Sequence, residues 1–321
     1  MRLKFQRYLT IFTVFFSCFS VAGELPDLRV AALQSGTVNW ELAHLKQQKL
    51  DHKNGFNLII DKVASLSAAR LGLTSDSTDL IVSDWLWAGK RNADGEKLGF
   101  IPFSSQIGMV MKKRGIEISG YEDLKGKNIG VAGGPMNKGW VLLQAAAKES
   151  GIDLQQQSKV QFGAPPLLNQ ALKRGQIDIL VTFWHYGARL EVEAYESWVS
   201  LKQIMYDLGI KSRVPMLGYL FKQSLYLEKE KALEGFARAI SQTKEQLNTN
   251  DEAWETLRPI MKVDSDELFK AYVSGYRNGI PGPITPAQAE DAARFYILID
   301  SLNSHPTGQT LDKAIFVGLD R

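Results

Sequence analysis

The segment Asp79-Leu-Ile-Val-Ser-Asp-Trp-Leu-Trp87 returns, without a gap, as Asp178-Ile-Leu-Val-Thr-Phe-Trp-His-Tyr186. In both copies an acid precedes an unbroken apolar run, then Ser or Thr, then Trp-x-aromatic. So short an apolar run without alternation predicts a strand buried on both faces of a parallel sheet. Ligands of open α/β folds bind outside the carboxyl ends of such strands. Trp85, Trp87, Trp184 and Tyr186 are therefore candidates for a ligand site. If each strand persists to its end, Trp85 and Trp87 point the same way, as do Trp184 and Tyr186. The repeat further predicts two similar half-structures, each offering one wall.

The flanking sequence supports two halves. Residues 28–33 read as a strand, 34–40 as a turn into a helix reaching about residue 52, 56–63 as a strand and 65–73 as a helix before the strand at Asp79. Two strand-like runs follow, near 99–102 and 107–111. The order then restarts: a strand at 129–132, a Gly133-Gly134 turn, a helix ending at Gly151, a strand at 160–162, a helix opened by Pro165-Pro166, and the strand at Asp178. Strand–helix alternation predicts an α/β fold of two lobes, each a mostly parallel sheet flanked by helices. The two strand-to-helix turns echo each other, Gly36-Thr-Val-Asn39-Trp40 against Gly134-Pro-Met-Asn137-Lys-Gly-Trp140. Residues 214–321 read as mostly helical, with long amphipathic stretches at 227–247 and 251–261 and N-cap signals at 264–267 and 285–288. They are expected to pack on the first lobe. The division expected is 23–112 plus 214–321 for lobe 1 and 113–213 for lobe 2.

The chain opens with a basic run, an apolar stretch at 8–19, and small residues at Ser20-Val-Ala22, the pattern of a secretory signal peptide over 1–22. That segment carries Arg2, Lys4 and Arg7 and no acid. Its removal lowers the 38 Lys and Arg of the whole chain to 35, equal to the 35 Asp and Glu. A neutral chain lacks the basic surplus that nucleic acid requires, so no nucleic-acid partner is expected. The single cysteine, Cys18, lies inside the signal, so cleavage after Ala22 leaves no thiol chemistry or disulfide. A second reading makes Phe-Phe-Ser-Cys18 a degenerate lipoprotein box and Cys18 a lipid anchor, with Phe15 a poor substitute for the usual Leu.

Gly133-Gly134 is the strongest loop signal. A glycine turn feeding a helix exposes free amides and the positive end of the helix dipole, an anion or oxygen site. Its spacing fits neither a dinucleotide fingerprint nor a P-loop. Lys138 in the first turn opposes the dipole, which a bound anion would offset; otherwise it faces solvent. Asp84 ends a buried run and needs a partner, either a ligand amine or hydroxyl or a neighbouring helix N-terminus. Trp140 shares a helical stripe with Leu143 and Ala147 and is assigned to core; Trp40, followed by Ala43, His44 and Gln47, is assigned to the cleft. His44, His52, His185 and His305 show no zinc spacing, and no nucleophile motif occurs. No catalytic residue, metal or cofactor is therefore expected.

The run Tyr121-Glu-Asp-Leu-Lys-Gly-Lys-Asn-Ile-Gly-Val-Ala132, the Gly133-Gly134 loop, Leu172-Lys-Arg-Gly-Gln-Ile-Asp178 and the helices from Glu228 onward together resemble the type II periplasmic solute-binding proteins of ABC transporters. The branch most similar is that of taurine, alkanesulfonates, nitrate and thiamine-pyrimidine precursors. The resemblance implies two lobes joined by two crossovers and closing on a small organic solute, a permease partner in the inner membrane, a periplasmic location and a monomer. Carried over, it implies ligand contacts at Ser35, Gly36 and Thr37, at Asp84 and Trp85, at Phe103 and Ser104, at Gly134, Pro135 and Asn137, and at Trp184, with Pro215 as a further position. The residue reading adds Trp40, Gly133 and Tyr186. The many tryptophans and Asp84 depart from what a bare sulfonate or nitrate needs, and favour a ring or a cationic amine. A permease-free sensor of the same fold and a thiamine-pyrimidine synthase-type enzyme are the alternatives; the export signal and sparse histidine weigh against the second.

Overall fold

The computed structural model describes residues 24–302 and 308–316, so the signal peptide and Cys18 lie outside the described residues. The first half runs β1 (Asp27–Leu33), α1 (Val38–Gln47), α2 (Leu50–Lys53), β2 (Asn57–Val63), α3 (Leu66–Thr74), β3 (Leu80–Ser83), α4 (Trp85–Ala93) and β4 (Leu98–Ser104). The chain then crosses to β5 (Met109–Lys112), β6 (Asn128–Ala132), α5 (Lys138–Glu149), α6 (Leu154–Gln157), β7 (Lys159–Gly163), α7 (Pro165–Lys173), β8 (Ile179–Thr182), α8 (Trp184–Val192), β9 (Glu196–Val199) and α9 (Leu201–Asp207). It returns through β10 (Leu217–Lys222), α10 (Gln223–Thr249), α11 (Glu252–Glu255), α12 (Arg258–Met261), α13 (Asp266–Arg277) and α14 (Pro286–Ser301).

Two five-stranded sheets result, ordered β2-β1-β3-β10-β4 and β7-β6-β8-β5-β9. In each, the first strand pairs in parallel with both the second and the third. In each, one antiparallel strand separates the third from the fourth. The antiparallel strand is β5, just after the first crossover, in one sheet and β10, just after the second, in the other. This corrects two expectations. Met109–Lys112 pairs with β8 and β9, so it lies in the second lobe and not in the first, as the 23–112 division would have it. Residues 217–222, within a stretch read as helical, are a central strand of the first sheet. The helix expected through residue 52 is also broken, because Lys49 takes a left-handed conformation (φ 53°) between α1 and α2.

The acid of the repeat has a structural reason. Asp79 accepts the backbone N–H of Arg29 in β1 at 2.8 Å, and Asp178 accepts that of Asn128 in β6 at 3.0 Å. Each acid is also paired with a lysine, Lys229 at 3.2 Å and Lys113 at 2.7 Å. Both carboxylates thus fasten the start of the third strand to the start of the first. The caps expected at 264–267 and 285–288 form as well: Ser265 and Thr285 accept amides in the first turns of α13 and α14, and Thr285 forms a capping box with Gln288, while Ser65 caps α3 in the same way. Such caps satisfy amides that have no partner within the helix.

On one face of the first sheet, Leu28, Val30 and Tyr219 pack with Leu42 of α1 and Phe236 and Ile240 of α10. On the other, Ile81 and Leu220 pack with Trp85 of α4 and Phe295 of α14. The C-terminal helices therefore sandwich the first lobe. One also reaches the second: α13 packs on α8, where Gly275 leaves room for Trp184. A β-carbon at 275 would lie 2.3 Å from Cζ3 of that ring.

Candidate functional site

The carboxyl ends of β1, β3, β6 and β8 bring the N-termini of α1, α4, α5 and α8 to the seam between the lobes. The echoed turns are alike in atomic detail. Asn39 Nδ2 donates to Leu33 O, at the end of β1, at 2.7 Å. Asn137 Nδ2 donates to Ala132 O, at the end of β6, at 2.9 Å. Asn137 also caps α5, accepting Trp140 N–H at 3.1 Å. Gly133 turns with φ +88°, a left-handed value open to glycine, and the Phe183 ring lies over it. Gly134 is half-buried and Pro135 exposed on this loop. On the facing lobe Ser35 is exposed, Gly36 half-buried and Thr37 buried.

Asp84 is the electrostatic centre of the seam. Strand β3 stops at Ser83, and Asp84 is the N-cap of α4, accepting Trp87 N–H at 2.9 Å. Its other oxygen meets Lys138 Nζ, from the opposite lobe, at 3.2 Å, and the Arg70 guanidinium at 3.6 Å. Burial opposes ionisation of this carboxyl, yet Lys138, Arg70 and the Trp87 amide outweigh it and hold its pKa below the usual carboxylate range. Burial also lowers the pKa of Arg70, which stacks 4.9 Å over Trp87. The partner of Asp84 is therefore its own helix and two cations, and Lys138 points across the seam to it.

The helix start at Asp84 redirects the aromatics. Since α4 begins at Trp85 and α8 at Trp184, neither Trp85 and Trp87 nor Trp184 and Tyr186 share a strand face. Trp85 is fully buried between Phe295 and Phe316, and its Nε1 donates to Pro215 O at 2.7 Å. It packs as core. Trp184 crosses from the second lobe into an aromatic group of the first, edge-on to Trp40 (6.0 Å) and Tyr272 (6.0 Å). Trp40 is buried, stacked on Tyr272 at 5.3 Å. It serves the first-lobe core and meets the other lobe at Trp184. Trp140 is core, as its stripe predicts. Phe103 packs on Tyr219, and Ser104 Oγ accepts Gln106 N–H at 3.2 Å on the first crossover.

His185 stands between the lobes. Its ring lies 4.5 Å from Tyr186 and 6.3 Å from Tyr272 of the first lobe. Both ring nitrogens are buried and neither makes a hydrogen bond of normal geometry. Burial pushes its pKa down to about 4, against the nearby Ser35 backbone, which favours the proton, and with Arg189, which disfavours it. The imidazole is thus neutral at physiological pH. Because the unfolded chain takes up this proton near pH 6.5 and the folded chain only near 4, stability should decline as pH falls through that window. The expected loss is up to about 3 kcal/mol. Urea unfolding of the wild type and His185→Phe at pH 7 and pH 4.5 checks this; equal pH slopes for the two would contradict it.

One group escaped sequence reasoning altogether. Glu41 of α1, fully buried, is paired with Lys244 of α10 and accepts hydroxyls from Tyr219 (2.7 Å) and Tyr276. Lys244 also donates to Phe103 O at 3.0 Å, tying this network to the end of β4. Burial lowers the Lys244 pKa against the pull of Glu41, and raises those of both tyrosines. Among the described residues, no three His, Cys, Asp or Glu side chains are placed to hold a metal ion.

Two sheets of matched order, facing each other across strand ends and joined by two crossovers, define a two-lobed binding-protein architecture. Residues 101–253 match the NMT1/THI5 like family model. Solved structures share the whole fold. A Bordetella bronchiseptica protein superposes with a TM-score of 0.72 at 17% identity, covering 90% of this chain and 93% of its own. The periplasmic aliphatic sulphonate binding protein SsuA of Escherichia coli gives 0.69 at 14% identity, covering 91% and 92%. The alkanesulfonate-binding protein SsuA of Xanthomonas axonopodis pv. citri, bound to MOPS, gives 0.65 at 15%, covering 86% and 94%. A search of curated proteins found no sequence match. The resemblance to type II periplasmic binding proteins is borne out, and this chain has their fold.

Proposed function

We propose that this chain is a periplasmic receptor that captures a small organic solute between its lobes and delivers it to an ABC permease in the inner membrane. The observation that carries this is the seam itself: four strand-to-helix turns, two from each lobe, converge there, and Asp84–Lys138 spans it. Ligands of α/β folds sit at such turns, and hinged lobes convert binding into a change of shape. Two of the structures named above are sulphonate-binding proteins, the Escherichia coli one periplasmic, which supports a transport role. On this reading the chain acts as a monomer, without cofactor or catalysis, and the solute meets Ser35, Gly133, Gly134 and the start of α8. Lobe 1 comprises residues 24–104 with 217–302 and 308–316, and lobe 2 residues 109–207. No helix among the described residues is long and apolar enough to cross a membrane.

The test is binding by the purified mature chain. A true solute at a hundredfold excess over its Kd should stabilise the fold by about 2.7 kcal/mol. It should also perturb tryptophan emission, because Trp40 and Trp184 meet across the lobes. A small molecule co-purifying in native mass spectrometry would name the solute. Conversion of that molecule to product by the chain would replace the receptor reading with an enzyme.

A further inference from the structure

The four helix N-termini at the seam are not equivalent. Those of α4 and α5 are closed by side chains, Asp84 on Trp87 N–H and Asn137 on Trp140 N–H. The cation beside them, Lys138, is matched by Asp84 from the facing lobe. Arg70 keeps contact with solvent and rests on Trp87. Both carboxylate oxygens of Asp84 are engaged, so a solute ammonium finds no free acceptor there. A solute anion would have to compete with Asp84 for Lys138. The charges of this half are matched within it, with Arg70 Nε left buried and without a hydrogen bond.

In the other half Thr37 and Phe183 make no side-chain cap to α1 or α8, and Trp40 N–H and Tyr186 N–H bond to the carbonyls of Thr37 and Phe183 instead. In the first turn of α8 stands His185, with two buried nitrogens that make no hydrogen bond of normal geometry, the Ser35 backbone being the polar group nearby. A buried polar atom without a partner is costly to the fold, and such atoms in native proteins call for an explanation. The nearest charged side chain on the same helix, Arg189, is committed to Asp264 and to Lys262 O, each at 2.8 Å. Beside the Ser35 backbone, the imidazole meets aromatic rings, those of Phe183, Trp184, Tyr186 and Tyr272.

Resting on the receptor reading, we propose that His185 is the solute-reading residue, and that the solute is an uncharged planar molecule presenting a hydrogen-bond donor and acceptor to that imidazole. Its ring lies among the aromatics of α8 and α13, and no ion pair holds it. An imidazole with one N–H and one bare nitrogen can answer a donor and an acceptor alike, and rings supply the apolar remainder of such pockets. This departs from a sulfonate site, where a charged head must be met by charge.

Three probes of equal ring size test this: benzamide, benzenesulfonate and benzylamine, each at millimolar concentration against the full mature chain. Benzamide is expected to raise Tm and shift tryptophan emission, with the other two weaker. His185→Phe should weaken benzamide at least tenfold, and His185→Gln, which keeps a donor and an acceptor, should restore most of it. Tighter binding of benzenesulfonate or benzylamine, or unchanged benzamide affinity in His185→Phe, overturns the proposal and leaves the receptor reading standing. Silence from all three, with small-angle scattering showing no change in lobe separation, overturns both.

Discussion

Asp84→Ala should lower the unfolding free energy by about 3–5 kcal/mol, the range for removing one partner of a buried ion pair. The carboxylate does two jobs, and they can be separated. It caps α4 through Trp87 N–H, and it neutralises Lys138 and Arg70. Asp84→Asn keeps a capping oxygen and loses the charge, so it should be the milder variant by about 1 kcal/mol, the worth of a cap. Lys138→Met relieves the stranded cation, and the cost of Asp84→Ala should shrink in that background. Urea unfolding of the wild type, the three single variants and the Asp84→Ala, Lys138→Met double variant at neutral pH ranks Asn against Ala and gives the coupling directly. Additive costs would mean that the two lobes are not joined through this pair. Acid should mimic the substitution: the Asp84 pKa is depressed, so its contribution is full above the ordinary carboxylate pKa and is lost as pH falls through the folded value.

Glu41→Ala should be at least as damaging. Glu41 is wholly buried and Lys244 only 9% exposed, so the substitution strands an ammonium in the core with Phe103 O as its remaining partner. It also leaves the Tyr219 and Tyr276 hydroxyls without an acceptor. A loss of about 3–5 kcal/mol is expected from the stranded charge. Replacing both charges, Glu41→Met with Lys244→Met, should recover most of it, because a well-packed apolar pair is often as stable as a buried ion pair. Chemical denaturation of the two single variants and the double variant decides this. A double variant as unstable as the sum of its parents would assign the stability to packing shape and not to charge.

The Asp79–Trp87 and Asp178–Tyr186 repeat revealed the two parallel strands, because both faces of each are covered and its apolar run is unbroken. It misled about the aromatics. Trp-x-aromatic after such a run reads as more strand, whereas Asp84 is a helix N-cap and α4 starts one residue later. The residue type was the available signal, since Asp is a favoured N-cap. Strand β10 was hidden for another reason. Leu217-Gly-Tyr-Leu-Phe-Lys222 is short, lies beside a long helix, and has no turn dipeptide to set it apart. The Glu41–Lys244 pair was out of reach because its partners lie 203 residues apart and meet only through the packing of α10 on α1. Of the site positions expected, the Ser35–Thr37, Gly133–Asn137 and Asp84 turns do reach the seam. Trp85 instead fills the core, and Phe103 faces inward to Tyr219.

The exchange of single strands between the halves of the chain has a consequence in time. All five strands of the second sheet lie within residues 109–207, but β4 joins the first sheet only through β10. As the chain emerges amino end first, the middle third can close its sheet while the first hundred residues still wait for residue 222. The earlier-made lobe is therefore the later-finished one. Until then its exposed β3 edge is a template for mispairing. A protein exported unfolded would meet that interval on the far side of the membrane.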